Sequence, residues 1–280
     1  MNKSLFNPLE HPICFVFPSW LEGTSWAEHI PFGMFSVSAL RPEVLVELGS
    51  FRGVSYCAFC QAVKTAKTET KCFAVDTWQG DEHTGILESS ALTELRAHHD
   101  PLYKDFSRLV KSTFDEALTG FGEKSIDLLH IDGFHTYDAV KHDFETWLPK
   151  MSDRGVILFH DTNVRDRDFG VWKLWSEVKE GRPHFEFLHG HGLGVLAVGK
   201  EIPAEFEFLF NANEEEAKLI RELFYGLGVR IEMARIKERM ESYEQAIMGH
   251  RPMRMYYLIQ QKGIKDYLKF HISRLKEKNK

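Results

Sequence analysis

Four side chains that can bind a metal ion or move a proton follow two apolar runs of the sequence. Asp132 and His135 come after IDLLHI, and His160 and Asp161 end the run VILFHD. Carboxylates and imidazoles are common ligands of divalent cations. The reference pKa of histidine, about 6.5, also lets a neutral imidazole accept a proton near pH 7. We therefore predict a divalent-cation site at Asp132, His160 and Asp161, with His135 as the catalytic base and Asp132 beside it.

Both assignments have a structural alternative. An Asp at the end of a strand often caps the helix that follows, because its carboxylate accepts hydrogen bonds from free backbone N–H groups. A single His more often makes a structural hydrogen bond than it abstracts a proton. Asp132 as a helix cap and His135 as a structural residue therefore both stay open on the sequence alone.

A second candidate site is the turn that follows the apolar run VLVEL. Gly49 and Gly53 flank this turn, with Ser50 between them. Glycine lets the backbone pass close to a ligand, and the start of a helix presents free N–H groups. The spacing lacks the middle glycine of a dinucleotide fingerprint, and Glu47 suits a ligand with a cationic centre, such as S-adenosylmethionine. Asp76, at the end of the next apolar run, is placed to accept hydrogen bonds from ribose hydroxyls. Ser50 and Asp132 are further predicted cofactor contacts.

These residues need a scaffold that brings successive strand ends to one edge, and residues 44–200 have that pattern. Short apolar runs alternate with amphipathic helical segments, which is typical of a parallel α/β sheet. Two further runs, FEFLHG and LGVLAVG, predict an antiparallel hairpin. The sequence therefore predicts an α/β fold with a doubly wound, mostly parallel seven-stranded sheet that ends in an antiparallel hairpin. The predicted strands are 44–48, 72–76, 106–112, 126–132, 156–161, 185–190 and 193–199, and the predicted helices are 55–64, 137–148 and 169–179.

The segments on either side of this domain differ from it. Residues 1–43 show little periodicity and are predicted to form a cap over the carboxyl edge of the sheet. Residues 201–248 are predicted to form a helical, coiled-coil-like extension that Gly226 and Gly228 interrupt.

A heptad pattern lies within the extension. Apolar residues recur at alternating spacings of four and three at Val229, Met233, Ile236, Met240, Tyr243 and Ile247. This pattern predicts either a homo-oligomer through residues 229–247 or an amphipathic helix that packs on its own domain.

The last segment, 249–280, is strongly basic. It carries nine Lys and Arg residues against one Asp and one Glu. A basic amphipathic helix can bind an anionic membrane surface or an acidic partner, and a solvated terminus is the structural alternative.

The composition limits the classes of function. The 280 residues carry a formal net charge of -6, which argues against a nucleic-acid partner. No run of about 18 apolar residues occurs, so no segment is predicted to span a bilayer. The N-terminus lacks the apolar core of a signal peptide, and four Cys residues make no disulfide framework. We expect a cytoplasmic protein, peripheral at the inner face of the membrane if the basic tail binds there.

Four ordered segments of the chain resemble a known family. ELGSFRGVS, AVDTWQGDEHTG, LLHIDGFHTYDAVKHDFETWLP and GVILFHDT are similar to the class I S-adenosylmethionine-dependent methyltransferases. Over about residues 30–200 the sequence most resembles the subgroup associated with bacterial polysaccharide glycosyltransferases, which is related to the macrocin-type sugar O-methyltransferases. The resemblance implies a Rossmann-like methyltransferase fold and methylation of a sugar hydroxyl in surface polysaccharide or glycolipid assembly. It also makes a glycosyltransferase a candidate partner of residues 250–280.

The same resemblance implies contacts for individual residues. The cofactor contacts that it implies are the methionine part for Glu47, Gly49 and Gly53, the ribose for Asp76, and the adenine for Trp78 and Ser112. It also implies magnesium at Asp132 and Asp161. His160 stands where many relatives have an acidic residue, so the cation could be Mg²⁺ or another divalent ion.

Two other functions stay open. A nucleotide-dependent oxidoreductase can share this fold, although Glu47 and the missing glycine argue against it. A non-catalytic binding or scaffold module could instead act through its helical extension. Affinity for S-adenosylmethionine or for NAD distinguishes the first alternative, and partner binding through residues 229–280 without methyl transfer would favour the second.

Overall fold

The computed structural model describes residues 6–22, 24–81, 85–86, 90–249 and 260. Its strands in this part of the chain are β1 (Val44–Leu48), β2 (Lys71–Asp76), β3 (Gly80–Asp81), β4 (Gly85–Ile86), β5 (Ser107–Lys111), β6 (Ile126–Ile131), β7 (Met151–His160), β8 (His184–Phe187) and β9 (Leu193–Ala197). Its α-helices are α1 (Ile30–Leu40), α2 (Val54–Ala66), α3 (Ala91–Tyr103), α4 (Phe114–Leu118), α5 (Tyr137–Trp147), α6 (Val171–Val178), α7 (Glu207–Phe210) and α8 (Glu214–Gly249). The 3₁₀ helices Pro8–Glu10, Pro12–Phe15 and Ser25–His29 precede α1.

Seven strands form one sheet in the order β5-β2-β1-β6-β7-β9-β8, and β3 and β4 form a separate two-stranded ribbon. The first five strands of the large sheet are parallel to one another, while β9 is antiparallel to both β7 and β8. The predicted doubly wound sheet with an antiparallel C-terminal hairpin and a helical extension is therefore confirmed. The fifth strand begins at Met151, earlier than the predicted residue 156.

The sheet separates two hydrophobic cores. Leu45, Leu128 and Leu158 point into the core that contains α1 and α2. Val46 and Leu129 point into the other core, which α5 and α6 cover. Neighbouring residues of one strand face opposite cores because strand side chains alternate between the two faces. This is why the central strands are mostly apolar on both faces instead of alternating with polar residues.

The register of the strands aligns their carboxyl ends. Leu48 pairs with Val75 on one side and with Ile131 on the other, and Ile131 pairs with Phe159. The residues that follow these positions are therefore neighbours at one edge of the sheet. In this way residues far apart in sequence, such as Gly49 and Asp132, come side by side.

The helix α1 was not predicted. Nine of its 11 residues are buried, so the segment lacks the polar face that makes an amphipathic helix recognisable in a sequence. The helix packs on α2 and belongs to the same hydrophobic core as the sheet.

The glycines at 226 and 228 do not interrupt the extension, contrary to the prediction. The helix α8 continues through both of them from Glu214 to Gly249. A Cβ atom at residue 228 would lie 2.1 Å from the carbonyl oxygen of Glu28. Glycine at this position therefore allows a close contact between two backbones, and it does not end the helix.

The chain divides into two compact units, Met1–Ile231 and Glu232–Lys280. The predicted basic tail, 249–280, lies outside the described residues except for Gly249 and Gln260. Among the helices that the structure describes, none has the length and apolar character needed to cross a membrane.

Candidate active site

The two Asp and two His residues predicted to act together form one cluster. Nε2 of His135 lies 2.9 Å from Oδ2 of Asp161 and 3.7 Å from Oδ1 of Asp132. Nδ1 of His160 lies 3.2 Å from each of these two carboxylate oxygens. Asp132, His135 and Asp161 each offer a ligand atom within 4.8 Å of the others. The donor set therefore fits a divalent cation. His135, which was predicted to be the base and not a ligand, also lies within reach of the cation.

The orientation of His160 follows from its second ring nitrogen. Nε2 lies 3.0 Å from the carbonyl oxygen of Gly190, and because a carbonyl can only accept, Nε2 must carry the hydrogen. Nδ1 then points at the carboxylates of Asp132 and Asp161. A histidine that ligates a metal commonly donates its other N–H to a carbonyl in this way, so His160 also fits a ligand role.

His135 is held by two contacts outside the cluster. Its ring stacks on Phe169 with a centroid distance of 4.6 Å and an interplanar angle of 6°. The N–H of Gly170 donates to its carbonyl oxygen at 2.7 Å. Neither contact was predicted, because both residues belong to the connection before α6.

Asp161 has an unusual backbone and a further partner. Its φ of 61° lies in the left-handed region, which non-glycine residues adopt rarely and which is found often at functional sites. Its Oδ1 lies 3.1 Å from Nδ1 of His191 in the turn between β8 and β9. His191 was assigned no role in the sequence analysis, and its only signal there was its place in the HGHG turn of the predicted hairpin.

Opposite charges in the cluster shift the pKa values of its members. Burial alone would raise the pKa of each carboxyl group, but the imidazoles of His160 and His135 outweigh burial and hold the pKa of Asp132 and Asp161 well below their usual range. Burial would likewise lower the pKa of His135, but the two carboxylates raise it to about 9. The same carboxylates raise the pKa of His160. Without a bound cation, His135 is therefore protonated at neutral pH, which differs from the neutral imidazole expected from the sequence.

The turn between β1 and α2 approaches the cluster closely. Gly49 has a φ of 84°, and a Cβ atom there would lie 2.1 Å from the carbonyl oxygen of Asp132. Only glycine allows this approach without a backbone shift. The two predicted sites are therefore in direct backbone contact.

Asp76 holds this turn in place. Its Oδ2 accepts hydrogen bonds from the N–H groups of Ser50 and Phe51, both at 2.8 Å, and its Oδ1 accepts from the N–H of Trp78 at 2.6 Å. A carboxylate can accept about four hydrogen bonds, so three from the backbone leave room for a ligand hydroxyl. Asp76 therefore fits the predicted ribose contact and also shapes the turn.

Glu47 is completely buried and binds protein groups. Its Oε1 accepts from the hydroxyl of Ser50 at 2.7 Å, and its Oε2 lies 2.8 Å from Nδ1 of His130. The indole N–H of Trp26 donates to Nε2 of His130 at 3.0 Å. Because an indole can only donate, His130 must be neutral and must give its Nδ1 hydrogen to Glu47. Sequence reasoning missed both His130 and Trp26.

Two cavities of about 260 Å³ each open beside these groups. The first, here called the cofactor cavity, is lined by Gly49, Phe51, Asp76, Thr77, Gly80, Thr113, Phe114, Asp132, Gly133 and Phe134. The second, here called the acceptor cavity, is lined by Glu22, Thr24, Ser25, Trp26, Ser50, Phe51, Arg52, Val54, Ser55, Asp132, His135, His160, Asp161, Phe169 and His191. Phe51 and Asp132 belong to both linings, so the two cavities share a wall.

Some of the predicted cofactor residues line one of these cavities, and the others line neither. Gly49, Asp76 and Asp132 line the cofactor cavity, and Ser50 lines the acceptor cavity. The residues that line neither of the two cavities are Glu47, Gly53, Trp78 and Ser112.

The residues outside the linings support the turn. The indole of Trp78 donates to the carbonyl oxygen of Phe51 at 3.0 Å, and the N–H of Ser112 donates to the carbonyl oxygen of Asp76 at 3.1 Å. Gly53 begins α2 with a φ of 76°.

Comparisons with known proteins agree with this architecture. Residues 46–162 match the profile of a family described as a methyltransferase domain. The chain is 52% identical over 179 residues to an uncharacterized protein, y4gI, of Sinorhizobium fredii, a match that covers 64% of this chain and 20% of that protein. The chain thus spans about a fifth of the length of this curated relative. Residues 46–162 are thus similar to a methyltransferase domain, and this segment contains the cluster and the glycine turn.

Two solved structures are similar in fold. The Podospora anserina methyltransferase PaMTH1, bound to SAH, has a TM-score of 0.47 and 13% identity, over 60% of this chain and 77% of that chain. A methyltransferase from Geobacter sulfurreducens has a TM-score of 0.46 and 13% identity, over 68% of this chain and 83% of that chain.

Proposed function

We propose that this chain transfers the methyl group of S-adenosylmethionine to a sugar hydroxyl, in surface polysaccharide or glycolipid assembly. The observation that carries the proposal is the shared wall of the two cavities at Asp132 and Phe51. Methyl transfer is an in-line displacement that needs two substrates on either side of one reacting carbon. Two cavities that meet at a carboxylate support that geometry.

The chemistry of each lining supports the assignment of the two ligands. The cofactor cavity contains Asp76, whose carboxylate has room for a ribose hydroxyl, and the aromatic ring of Phe114. The acceptor cavity contains Trp26 and Phe169, with Glu22 and Arg52 among its polar groups. Aromatic faces together with acidic and basic side chains suit a sugar ring, which has apolar faces and a polar rim of hydroxyls.

The reaction transfers one methyl group and releases one proton. The acceptor oxygen forms a bond to the methyl carbon while the bond from that carbon to sulfur breaks, and the hydroxyl proton must go to a base. His135 lies at the acceptor cavity and is held by Phe169 in a fixed orientation. Because its pKa is raised to about 9, His135 can accept the proton only after it has lost its own.

The residues that would hold a divalent cation are Asp132 and Asp161 together with His160, or with His135 in its place. With His160 as the ligand, His135 stays available as the base. A bound cation would lower the pKa of the acceptor hydroxyl and orient it. The mixture of imidazole and carboxylate ligands suits Mn²⁺ or Zn²⁺ as well as Mg²⁺.

The test is transfer of labelled methyl groups to a panel of free and nucleotide-linked sugars, with methylated products identified by mass spectrometry. We expect a methyl ether on at least one sugar and no product with Asp161→Asn. Asp153→Asn, which changes an exposed carboxyl outside both linings, should keep full activity. Binding of NAD in place of S-adenosylmethionine in calorimetry would overturn the proposal.

The cation is tested separately by exhaustive treatment with EDTA, followed by addition of Mg²⁺, Mn²⁺ or Zn²⁺. We expect loss of activity and its recovery with one of these ions. Unchanged activity after EDTA would remove the cation from the mechanism and leave methyl transfer itself intact.

A further inference from the structure

The long helix α8 changes its apolar positions near residue 231. Before this point, buried residues at Ile220, Phe224, Leu227 and Ile231 belong to the hydrophobic core of the first unit. After it, the exposed large apolar side chains among the described residues are Met233, Ile236, Met240 and Tyr243, here called the seam. The seam side chains are between 39% and 66% exposed. One helix thus carries two apolar sets, and within the part of the chain that the structure describes only the first belongs to a hydrophobic core.

The two sets occupy different positions of the heptad. When Met233 and Met240 are placed at position a, Ile236 and Tyr243 fall at position d. The buried residues Phe224 and Ile231 then fall at position f, and Ile220 and Leu227 fall at position b. Positions b and f lie outside the contact of a coiled coil, whereas a and d form it. Packing of α8 in the first unit therefore accounts for b and f. The side chains at a and d stay largely exposed, and Tyr243 accepts a hydrogen bond from Arg239 of its own helix.

We propose that the seam pairs with the seam of a second copy of this chain in a parallel two-stranded coiled coil. In a parallel pair, position g of one helix faces position e of the next heptad on the other helix. Glu232 is at position g and Lys237 is at position e. Opposite charges therefore meet on both sides of the seam.

An antiparallel pair would bring like charges together. With Met233 opposite Tyr243 and Ile236 opposite Met240, residues near the centre face their own copies. Lys237 would then meet Lys237, and Arg239 would meet Arg239. Like charges at flanking positions oppose assembly, so the charge pattern favours the parallel arrangement. The seam covers fewer than three heptads, so we expect an association that depends on concentration.

The experiment is sedimentation velocity of the full chain over a dilution series. We expect a monomer–dimer equilibrium for the natural sequence and a monomer at all concentrations for the double variant Met233→Glu, Met240→Glu. Leu219→Glu is the matched control, because Leu219 is 50% exposed on the same helix but precedes the seam, and this variant should dimerise normally. Far-ultraviolet circular dichroism establishes that each variant is folded. A natural chain that stays monomeric, or a double variant that still dimerises, would overturn the proposal.

Charge exchange tests the parallel arrangement. Glu232→Lys and Lys237→Glu should each weaken association several-fold, because each places like charges opposite one another, and the two together should restore it. Glu232 also pairs with Arg235 of its own helix, so Arg235→Ala measures the part of the effect that comes from that intrahelical pair. Failure of the combined variant to recover would rule out the parallel pairing, even if the chain still dimerises through the seam.

Discussion

Two groups of carboxylate and imidazole lie on neighbouring strands of the same sheet, and they differ in what surrounds them. Glu47 and His130, on β1 and β6, are completely buried. Asp132, His160 and Asp161, at the ends of β6 and β7, line the acceptor cavity. The residue types are alike, and the distances within the two groups are similar.

The two groups differ in what fixes the hydrogen atoms on their imidazole nitrogens. In the buried group, the donor-only indole of Trp26 makes His130 neutral and directs its other hydrogen to Glu47. At the cavity, two imidazoles converge on two carboxylates, so a proton or a cation can occupy the space between them. The hydrogen-bond partners of the buried group are therefore all protein groups, whereas the group at the cavity faces space that a ligand can enter.

The largest effect is expected at the cavity. Asp161→Asn should lower the rate of methyl transfer about 10² to 10⁴-fold, the range typical for loss of general acid–base catalysis. Its affinity for S-adenosylmethionine should not change, because Asp161 lines only the acceptor cavity. Asp132→Asn should lower both rate and affinity, because Asp132 lines both cavities. Single-turnover rates and calorimetry measure the two quantities, and equal behaviour of the two variants would contradict the division into two cavities.

Asp143 tests what burial costs a carboxyl group outside these two groups. Burial on α5 raises the pKa of Asp143 to about 7, above its ordinary value of 3.8. The folded state therefore binds an extra proton between pH 4 and pH 7, and the free energy of unfolding should fall as pH rises through this range. The loss should be up to about 4 kcal/mol, from about 1.4 kcal/mol for each unit of pKa.

The measurement is urea unfolding of the natural chain and of Asp143→Asn at pH 5 and pH 8. The variant cannot lose this proton, so its stability should decline less between the two values. Parallel declines for both proteins would show that Asp143 is not the titrating group.

The buried group should contribute to stability rather than to the chemical step. His130→Ala leaves the carboxylate of Glu47 and the indole of Trp26 without their partner, which should lower the free energy of unfolding by about 3 kcal/mol. His142→Ala is the matched control, since His142 is exposed and should change stability by less than about 0.5 kcal/mol. Urea unfolding measures both variants. Equal stabilities would contradict the structural role of His130.

The fold was largely predictable because its signals are local. A central strand such as VLVEL is a continuous apolar run that ends at Gly49, and that pattern is readable without knowledge of its neighbours. The helix α1 was missed for the opposite reason, since burial on all sides removes the amphipathic period. The glycine at 228 was misread as a helix break because its close contact is with Glu28, which lies 200 residues away in the sequence.

The residues of the candidate site were predictable from the sequence, but not all of their hydrogen-bond partners were. Strand ends brought Asp132, His135, His160 and Asp161 together as expected, because parallel strands end at one edge. The hydrogen-bond partner of Glu47 was not predictable, since it depends on the register between β1 and β6. The one available signal was His130 itself, a polar residue inside a mostly apolar strand, which requires a buried partner.

The shared wall between the two cavities has a thermodynamic consequence. Asp132 contributes to both linings, so a ligand that changes its charge from one side changes the affinity of the other side. Such an effect must be reciprocal: if one ligand strengthens the binding of the second by a given factor, the second strengthens the binding of the first by the same factor. Ligands bound in the two cavities would therefore influence each other's affinity through a single carboxylate.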